Sequence, residues 1–335
     1  MTTRRQILAA AGAALLGAPA IIRAAGAAEP VTFTTPFGFD PTFIDVMNAK
    51  SAGHFAHEGL DVTVVGPPGN ASAFQQVIAG QAQFSYIASI DFIRAVATRG
   101  APFIAFACPG QRVGFEIVSL KDKPVRTGAD LKGKTVGVLS VGGLSELLVQ
   151  VAMAKAGLAK TDANIVVAGN SPAEVELIRA GRLDCFICNF PLAITLRRMG
   201  QPLEFLKIDD VIKAPGLLLF CTRDTAETKP DLVLRLLRAY MASLLEIIAG
   251  PLEPIFQRAA KDFDIPRMND VATLVAVQEE VNKRSYLIDG RENLLRNQPA
   301  LWQSACDGLR TIAIADVKDP STLYTNTFVD QVMKA

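Results

Sequence analysis

Apolar residues follow two patterns along this chain. Short apolar runs, typical of buried strands, alternate with segments in which apolar residues recur three or four positions apart, as on one face of a helix. Glycine, proline and capping residues separate the two patterns. The runs predict strands at residues 31–35, 60–65, 84–87, 103–107, 135–139, 165–168, 185–188 and 217–221. Because the strand and helix patterns alternate, the sequence predicts an α/β fold with mostly parallel sheets.

The chain also repeats one local construction. Residues 77–84 and 178–185 each contain the end of a helix, an Ala-Gly pair, two further residues, a polar residue and the start of a strand. This repetition favours two lobes of similar construction over a single continuous sheet. After residue 230 the pattern becomes helical, and no helix there is apolar on all sides, so these helices are expected to cover a lobe.

Residues 1–27 have the pattern of an export signal. Arg4 and Arg5 precede an alanine-rich apolar stretch, and the small residues Ala25-Gly26-Ala27 form a cleavage site. Paired arginines before a weakly apolar stretch indicate the twin-arginine route. The stretch is shorter than the roughly 20 residues of a membrane-spanning helix and is interrupted by glycine and proline, so we expect no membrane insertion. The mature protein is therefore predicted to be periplasmic, with cleavage near Ala27.

Composition and charge argue against several function classes. Only 20% of the 335 residues are charged, 34 basic residues nearly balance 33 acidic ones, and no basic stripe is interleaved with aromatic residues, so no nucleic-acid partner is expected. The sequence contains no Ser-His-Asp order, zinc-ligand spacing or Gly-x-Ser-x-Gly elbow, so no catalytic residue, metal or cofactor is assigned. Cys185 and Cys188 lie three positions apart on a predicted strand and point to opposite faces, which favours buried apolar cysteines over a redox or metal pair.

Residues 128–135, GADLKGKT, match the spacing of a phosphate-binding loop. Such a loop follows a buried strand and leads into a helix whose first amides bind phosphate. Here a polar segment precedes the match, and the apolar run at 135–139 follows it. Since the order of elements is reversed, the match does not indicate a nucleotide hydrolase.

Four segments carry a resemblance to a known family. They are GHFAHEGLDV at 53–62, DLKGKTVGV at 130–138, AGRLD at 180–184 and KPDLV at 229–233, which leads into a long helix. In this order they resemble the periplasmic solute-binding proteins of ABC importers, in the branch that serves sulfonates, taurine, nitrate and thiamine-pyrimidine precursors. The resemblance implies a two-lobed type II periplasmic binding protein fold, in which each lobe is a mostly parallel sheet flanked by helices and two hinge strands join the lobes. The expected division is a signal peptide at 1–27, lobe 1 at 28–117 and 222–335, and lobe 2 at 118–221.

The resemblance also implies a function. Proteins of this family bind a small solute between the lobes and deliver it to a transmembrane permease, so the chain is expected to be a monomeric, non-catalytic binding protein. Sulfonates, nitrate, carboxylates, pyrimidine or other aromatic precursors, and flavin-like compounds all fit as solutes. The alternative is an exported or fold-related enzyme of the pyrimidine-synthase type that uses cysteine or histidine. That enzyme carries a cysteine-rich cluster in the strand before the long helix, whereas the strand at 217–221 contains one cysteine, Cys221.

The candidate ligand site follows from the predicted strands. In open parallel sheets, ligands bind beyond the carboxyl ends of the strands, where loops lead into helix N-termini. Serine hydroxyls and exposed amides at these helix starts suit an oxyanion, and phenylalanines suit an apolar or aromatic body. The candidate residues in these loops are Phe37, Phe39, Asp40, Asn70, Ala71, Ser72, Ser89, Ile90, Ser140, Gly142, Gly143, Asn189 and Phe190. Structural alternatives remain open: Asn70 as a helix cap, Gly142-Gly143 as a tight turn, and the phenylalanines as core.

Overall fold

The computed structural model describes residues 28–67 and 69–334, and the predicted export signal lies outside them. All eight strands predicted from the sequence are present, with ends within about two residues of the expected positions. Two further strands, Phe115–Leu120 and Leu203–Lys207, were not expected. The strands of the described chain are β1 Glu29–Thr34, β2 Leu60–Val65, β3 Phe84–Ala88, β4 Phe103–Ala107, β5 Phe115–Leu120, β6 Thr135–Val138, β7 Asn164–Val167, β8 Cys185–Asn189, β9 Leu203–Lys207 and β10 Leu217–Thr222.

Helices flank the strands along the whole described chain. The α-helices are α1 Ile44–Ser51, α2 His54–His57, α3 Asn70–Ile78, α4 Ser89–Arg99, α5 Leu144–Lys155, α6 Glu174–Arg179, α7 Phe190–Arg198, α8 Ile208–Val211, α9 Arg223–Thr228, α10 Pro230–Ala249, α11 Leu252–Ala259, α12 Val271–Val281, α13 Pro299–Thr311 and α14 Thr327–Val332. A π-helix, Asn282–Tyr286, continues α12. Short 3-10 helices occur at Pro41–Phe43, Gly128–Leu131, Lys160–Asp162, Met268–Asp270, Arg291–Asn293 and Pro320–Leu323.

The strands form two five-stranded sheets with the orders β2-β1-β3-β10-β4 and β7-β6-β8-β5-β9. β10 runs antiparallel to both of its neighbours in the first sheet, and β5 does so in the second. Four strands of each sheet therefore run in one direction, which confirms the predicted α/β class with mostly parallel sheets. The internal repeat is confirmed as well, because its two copies lead into β3 and β8, which hold the same place in the two sheets.

Two segments carry the chain between the sheets, at residues 108–114 and 208–216. Glycines allow these segments to lie close together: the Gly216 N–H donates to the Gly110 carbonyl at 2.7 Å, and the Gly110 N–H donates to the Leu217 carbonyl at 3.2 Å. A Cβ atom added to Gly216 would lie 2.1 Å from the Arg112 carbonyl oxygen. The predicted lobe boundaries, after residues 117 and 221, fall within β5 and β10, and the division into lobes stays a prediction.

A central apolar core continues from one sheet to the other. It combines side chains of the first sheet's half, such as Phe92, with side chains of the second, such as Leu148, and α13 contributes Trp302. Cys185 belongs to this core, whereas Cys188 belongs to a separate core on the other side of the second sheet. The prediction that the two cysteines point to opposite faces is therefore confirmed. Burial raises the pKa of the Cys185 thiol to about 12, so this thiol is a poor nucleophile at neutral pH.

In the segment that matches a phosphate loop, the secondary-structure elements follow the order expected from the sequence, with a turn before a strand. Gly128–Leu131 is a 3-10 helix held by Thr127 and Asp130, and β6 follows it. Lys134 lies at the entrance of β6, where its Nζ is 3.6 Å from an Asp184 oxygen. The lysine of the match thus forms an ion pair at a strand entrance.

The side chain of Glu246, near the end of α10, contacts residues of α1, α2 and α11. Its carboxylate accepts hydrogen bonds from Asn48 Nδ2 of α1 at 3.0 Å and from Arg258 Nη2 of α11 at 2.5 Å, and it lies 2.9 Å from His54 Nε2 of α2. Partial burial opposes ionisation of Glu246. The hydrogen bonds from these three side chains and the charge of Arg258 outweigh burial, and they lower the pKa to about 2.

We expect Glu246→Gln to have a lower free energy of unfolding than the wild type above about pH 4.5, and the difference to disappear as the pH falls toward 2. Since the folded state lowers this pKa, the contribution is fully present above the ordinary value of 4.5 and is lost as the pH falls through about 2. Its size is about 1–2 kcal/mol, because the side chain is one-third exposed and solvent screens the charges. Urea unfolding of both proteins between these pH values measures it, with the exposed Glu227→Gln as the matched control. A wild-type advantage that grows toward pH 2 would contradict the assignment.

Candidate ligand-binding cleft

A cleft with a volume of about 770 Å³ lies between the two sheets. Its walls include the segments that directly follow β1, β3, β6 and β8, which are the carboxyl ends of parallel strands. The two segments that cross between the sheets, the π-helix Asn282–Tyr286, the 3-10 helix Pro41–Phe43 and the first turns of α3 also contribute to the lining. The cleft therefore occupies the position at which ligands bind in open parallel sheets. Its volume is in the range of small-molecule sites.

Many of the residues proposed from the sequence lie together in this cleft. Those that line it are Phe37, Ala71, Ser89, Ile90, Ser140, Gly143, Asn189 and Phe190. They come from loops on both sheets and are distant in sequence. The direction of the parallel strands brings them to one edge of each sheet, and the two edges face each other across the cleft. Their role as ligand contacts stays a prediction.

The other proposed residues lie elsewhere or have other partners. Phe39 packs on Phe263, with 5.1 Å between ring centroids, so its ring covers the C-terminal helices and is not part of the lining. Asp40 caps the following 3-10 helix by accepting from the Thr42 N–H at 2.9 Å. Ser72 lies in the first turn of α3 outside the lining, and its amide donates to the Gly69 carbonyl at 3.1 Å. The backbone of Asn70 begins α3, and its side chain is not described.

In the glycine loop before α5, the backbone of Gly142 already forms hydrogen bonds to side chains of the protein. The Gly142 N–H donates to Glu146 Oε2 at 2.5 Å, and the Gly142 carbonyl accepts from Arg94 Nη1 at 2.6 Å. Gly142 has a positive φ of 70° and so requires glycine. Gly142 lies just outside the lining, whereas Gly143 and Ser140 are part of it. This loop is therefore both the tight turn expected from the sequence and a wall of the cleft.

Two proposed residues of the lining also have structural roles. The Ser89 hydroxyl donates to the Pro215 carbonyl, and the Ser89 N–H donates to the Gly216 carbonyl at 2.9 Å, so Ser89 fixes α4 to a crossing segment. Asn189 caps α7, where its Oδ1 accepts from the Leu192 N–H at 3.1 Å. Both side chains hold the helix starts that face the cleft.

Aromatic rings form much of the apolar wall. Phe37 is half-exposed at the mouth and packs edge-on against Phe43, with 5.2 Å between centroids. Phe43 stacks on the buried ring of Tyr86. Phe190 lies in the first turn of α7 and is only 8% exposed. The rings that line the cleft are Phe37, Phe43, Phe74, Phe115, Phe190 and Tyr286.

Charged residues of the cleft were not found by sequence analysis. The carboxylate of Glu116 on β5 is almost fully buried and lies between two guanidinium groups. Arg197 of α7 donates to both of its oxygens, and Arg284 of the π-helix donates to Oε1 at 3.1 Å. The Arg284 guanidinium also lies over the Phe190 ring, 4.4 Å from its centroid. Arg284 thus combines a hydrogen bond to the second sheet with a cation–π contact inside the cleft.

A second ion cluster lies beside the crossing segments. Arg112 donates to both carboxylate oxygens of Asp289, and its Nε is 3.4 Å from Asp209 Oδ1. Lys213 Nζ is 3.3 Å from the other oxygen of Asp209. Burial raises the pKa of Asp209, although Lys213 and Arg112 offset part of that rise. This cluster links the segments between the sheets to the chain that follows the π-helix.

Within residues 28–67 and 69–334, histidine, cysteine and acidic side chains form no group of three or more that could hold a metal ion. In the same part of the chain, every helix is too short or too polar to span a lipid bilayer.

The known proteins that this chain resembles include enzymes and periplasmic binding proteins. A curated relative, the 4-amino-5-hydroxymethyl-2-methylpyrimidine phosphate synthase of Schizosaccharomyces pombe, is 24% identical over 237 residues, which are 67% of this chain and 67% of that protein. The solved structure of the periplasmic aliphatic sulphonate binding protein SsuA from Escherichia coli matches with a TM-score of 0.66 and 20% identity, covering 88% of this chain and 91% of that one.

Two further structures share the fold. The periplasmic nitrate-binding protein NrtA from Synechocystis PCC 6803 matches with a TM-score of 0.66 and 14% identity, covering 91% of this chain and 88% of that one. The desulfurization enzyme DszB matches with a TM-score of 0.59 and 14% identity, covering 91% of this chain and 99% of that one. The family model described as NMT1/THI5 like matches residues 40–253, which is more than half of the sequence. The chain therefore belongs to the NMT1/THI5-like family.

Proposed function

We propose that this protein is the periplasmic solute-binding component of an ABC importer, which captures a small organic solute and delivers it to a transmembrane permease. The observation that carries the proposal is the cleft of about 770 Å³ between the two sheets, with aromatic walls and basic groups. A binding protein needs a recess that two lobes can close around a solute. The lobes would be residues 28–117 with 222–335, and residues 118–221.

The comparisons support a binding role. SsuA and NrtA are described as binding proteins for aliphatic sulphonates and for nitrate, and both share this fold over most of their length. The predicted export signal at residues 1–27 agrees with a periplasmic location. In this proposal the protein works as a monomer, and the permease recognises the loaded, closed form.

The enzyme alternative has support from the synthase of S. pombe and from DszB. A covalent mechanism of the expected type would need a cysteine or histidine beside the bound solute. Among the described residues that line the cleft, none is a cysteine or a histidine. All five cysteines are buried elsewhere in the fold. We therefore favour binding over catalysis.

The test is to identify the solute that the exported protein carries. Protein purified from the periplasm under native conditions should show, in native mass spectrometry, an added mass that unfolding releases. The released solute, returned to stripped protein at about a hundredfold excess over its dissociation constant, should stabilise it by about 2.7 kcal/mol. The solute should be recovered unchanged after long incubation. Conversion of the solute to a product would favour the enzyme alternative, and a protein that carries and binds no solute would contradict the proposal.

A further inference from the structure

The size of the cleft restricts the solute, provided that the binding role proposed above is correct. A cleft of about 770 Å³ suits a ligand of roughly 10–30 non-hydrogen atoms, since small-molecule sites of about 300–1,000 Å³ enclose most of a drug-sized ligand. A nitrate ion or a two-carbon sulfonate would leave most of this volume filled with water. The aromatic walls would then have no apolar partner.

The charges that form ion pairs around the cleft are balanced except in the cluster that contains Arg284. Arg94 pairs with Asp91 at 2.8 Å, Arg112 pairs with Asp209 and Asp289, and Lys213 pairs with Asp209. Arg99, Lys207 and Asp210 also line the cleft but are exposed to solvent, where water screens their charges. In the remaining cluster, two arginines surround one acid. Those residues are Arg197, Arg284 and Glu116.

The geometry decides which of the two arginines carries the surplus positive charge. Arg197 neutralises Glu116, because it donates to both carboxylate oxygens, and its guanidinium lies 4.0 Å from the Phe205 ring centroid. Arg284 makes a single hydrogen bond to Glu116, is 27% exposed and lines the cleft. Its other donors are therefore the groups best placed to meet an anion in the cleft.

Arg284 also adjoins the aromatic wall of the cleft. Its guanidinium lies over the Phe190 ring, 4.4 Å from the centroid, so the cationic group and an aromatic side chain are next to each other in the lining. A buried contact fixes the turn that carries it: the Tyr286 hydroxyl donates to Asp45 Oδ2 at 3.1 Å in the first lobe. The π-helix that holds both residues continues α12, and single π-turns occur often at functional sites.

We infer that the solute is an aromatic acid with one anionic group, a carboxylate or sulfonate, which Arg284 binds while Phe190 and the neighbouring rings enclose the aromatic body. The segment that selects this ligand, residues 281–288, lies outside residues 40–253, the region that the family model matches. Solute choice in this protein therefore depends on a part of the chain that the family pattern does not include.

The test compares two ligands of nearly the same shape but different charge, 2-naphthoate and the neutral 2-naphthamide, by isothermal titration calorimetry on stripped protein. The wild type should bind 2-naphthoate at least tenfold more tightly than 2-naphthamide, and nitrate should not compete. Arg284→Gln should weaken 2-naphthoate about ten- to a hundredfold and leave 2-naphthamide unchanged, since a charged hydrogen bond is lost. Glu116→Gln should strengthen 2-naphthoate, because it doubles the surplus positive charge.

Controls separate ligand contact from folding. Arg179→Gln removes an exposed arginine away from the cleft and should change neither affinity. Arg284→Lys keeps the charge and should retain part of the preference for 2-naphthoate. Each variant's thermal melting is measured without ligand, and affinities are compared per folded molecule. If Arg284→Gln and Arg284→Lys weaken both ligands equally, Arg284 is only structural and the inference is wrong.

Two further outcomes would contradict the inferred class of solute but would leave the proposed binding function intact. One is the absence of 2-naphthoate binding at concentrations up to about 1 mM. The other is a co-purified solute that has no aromatic ring or no anionic group. In both cases a bound and unconverted solute would still support the proposed function. Only a protein that carries no solute, or that converts it, would remove the function itself.

Discussion

Replacing Asp45 with alanine should lower the free energy of unfolding by about 2–5 kcal/mol. Asp45 lies in the first turn of α1 and is completely buried. Its carboxylate accepts hydrogen bonds from the hydroxyls of Tyr86, Tyr240 and Tyr286 and from the Val46 N–H. Alanine would leave these donors buried without their acceptor, apart from the 3.0 Å bond between the Tyr86 and Tyr240 hydroxyls. Urea unfolding followed by circular dichroism measures the loss.

The matched control is Asp45→Asn, which keeps one acceptor oxygen and nearly the same shape. Asp45→Asn should lower the free energy of unfolding by less than Asp45→Ala does, because at least one tyrosine hydroxyl retains its partner. Equal losses in the two variants would mean that volume, and not hydrogen bonding, accounts for the effect. The alanine variant should also weaken ligand binding per folded molecule, since Tyr286 holds the turn that carries Arg284.

The same residue gives a pH dependence with a defined sign. Burial raises the pKa of Asp45, and the hydrogen bonds from the tyrosines and from Val46 offset only part of that rise. Between the ordinary value of 3.8 and the raised native value, the folded state binds more protons than the unfolded state. Stability from Asp45 therefore falls as the pH rises through this window. The advantage of the wild type over Asp45→Asn should shrink across it, and an advantage that grows with pH would contradict the assignment.

The sequence predicted strands well wherever one local pattern determined them. In β2 the buried residues Leu60, Val62 and Val64 alternate with the exposed Asp61 and Thr63, as expected for a strand with one buried face. Strands β5 and β9 were missed for the opposite reason. Each contains an acidic residue within a short apolar run, which hides the pattern typical of a buried strand. The charge in β5 is Glu116, which is tolerated inside because two distant arginines neutralise it.

The candidate site was predictable in position but not in chemistry. Strand direction alone places the loops after β1, β3, β6 and β8 around one cleft, so several loop residues were found there. Whether a given side chain faces that cleft depends on distant packing. Phe39, for example, contacts Phe263, far along the chain. Arg284 could not be found locally, because the helical pattern at 270–286 does not reveal where α12 becomes a π-helix or which acid its arginine meets.

Phe190→Ala should weaken ligand binding about ten- to a hundredfold, which corresponds to ~1–3 kcal/mol of lost apolar contact. Phe190 is well covered, but it belongs to none of the apolar cores formed by the described residues, and its ring supports the Arg284 guanidinium within the cleft. Its loss should therefore affect the ligand more than the fold. Melting without ligand should fall only modestly, by the equivalent of about 1–2 kcal/mol.

Phe186→Ala is the matched control for this prediction. Phe186 lies on β8, four residues before Phe190, and is completely buried in the core on the outer side of the second sheet. Its removal should cost about 3–5 kcal/mol of stability and leave the affinity of the surviving folded protein unchanged. Unfolding midpoints and calorimetric affinities for the co-purified solute, measured on both variants, separate the two roles. If Phe190→Ala behaves like Phe186→Ala, with a large loss of stability and normal affinity, Phe190 is a core residue and the ligand lies elsewhere in the cleft.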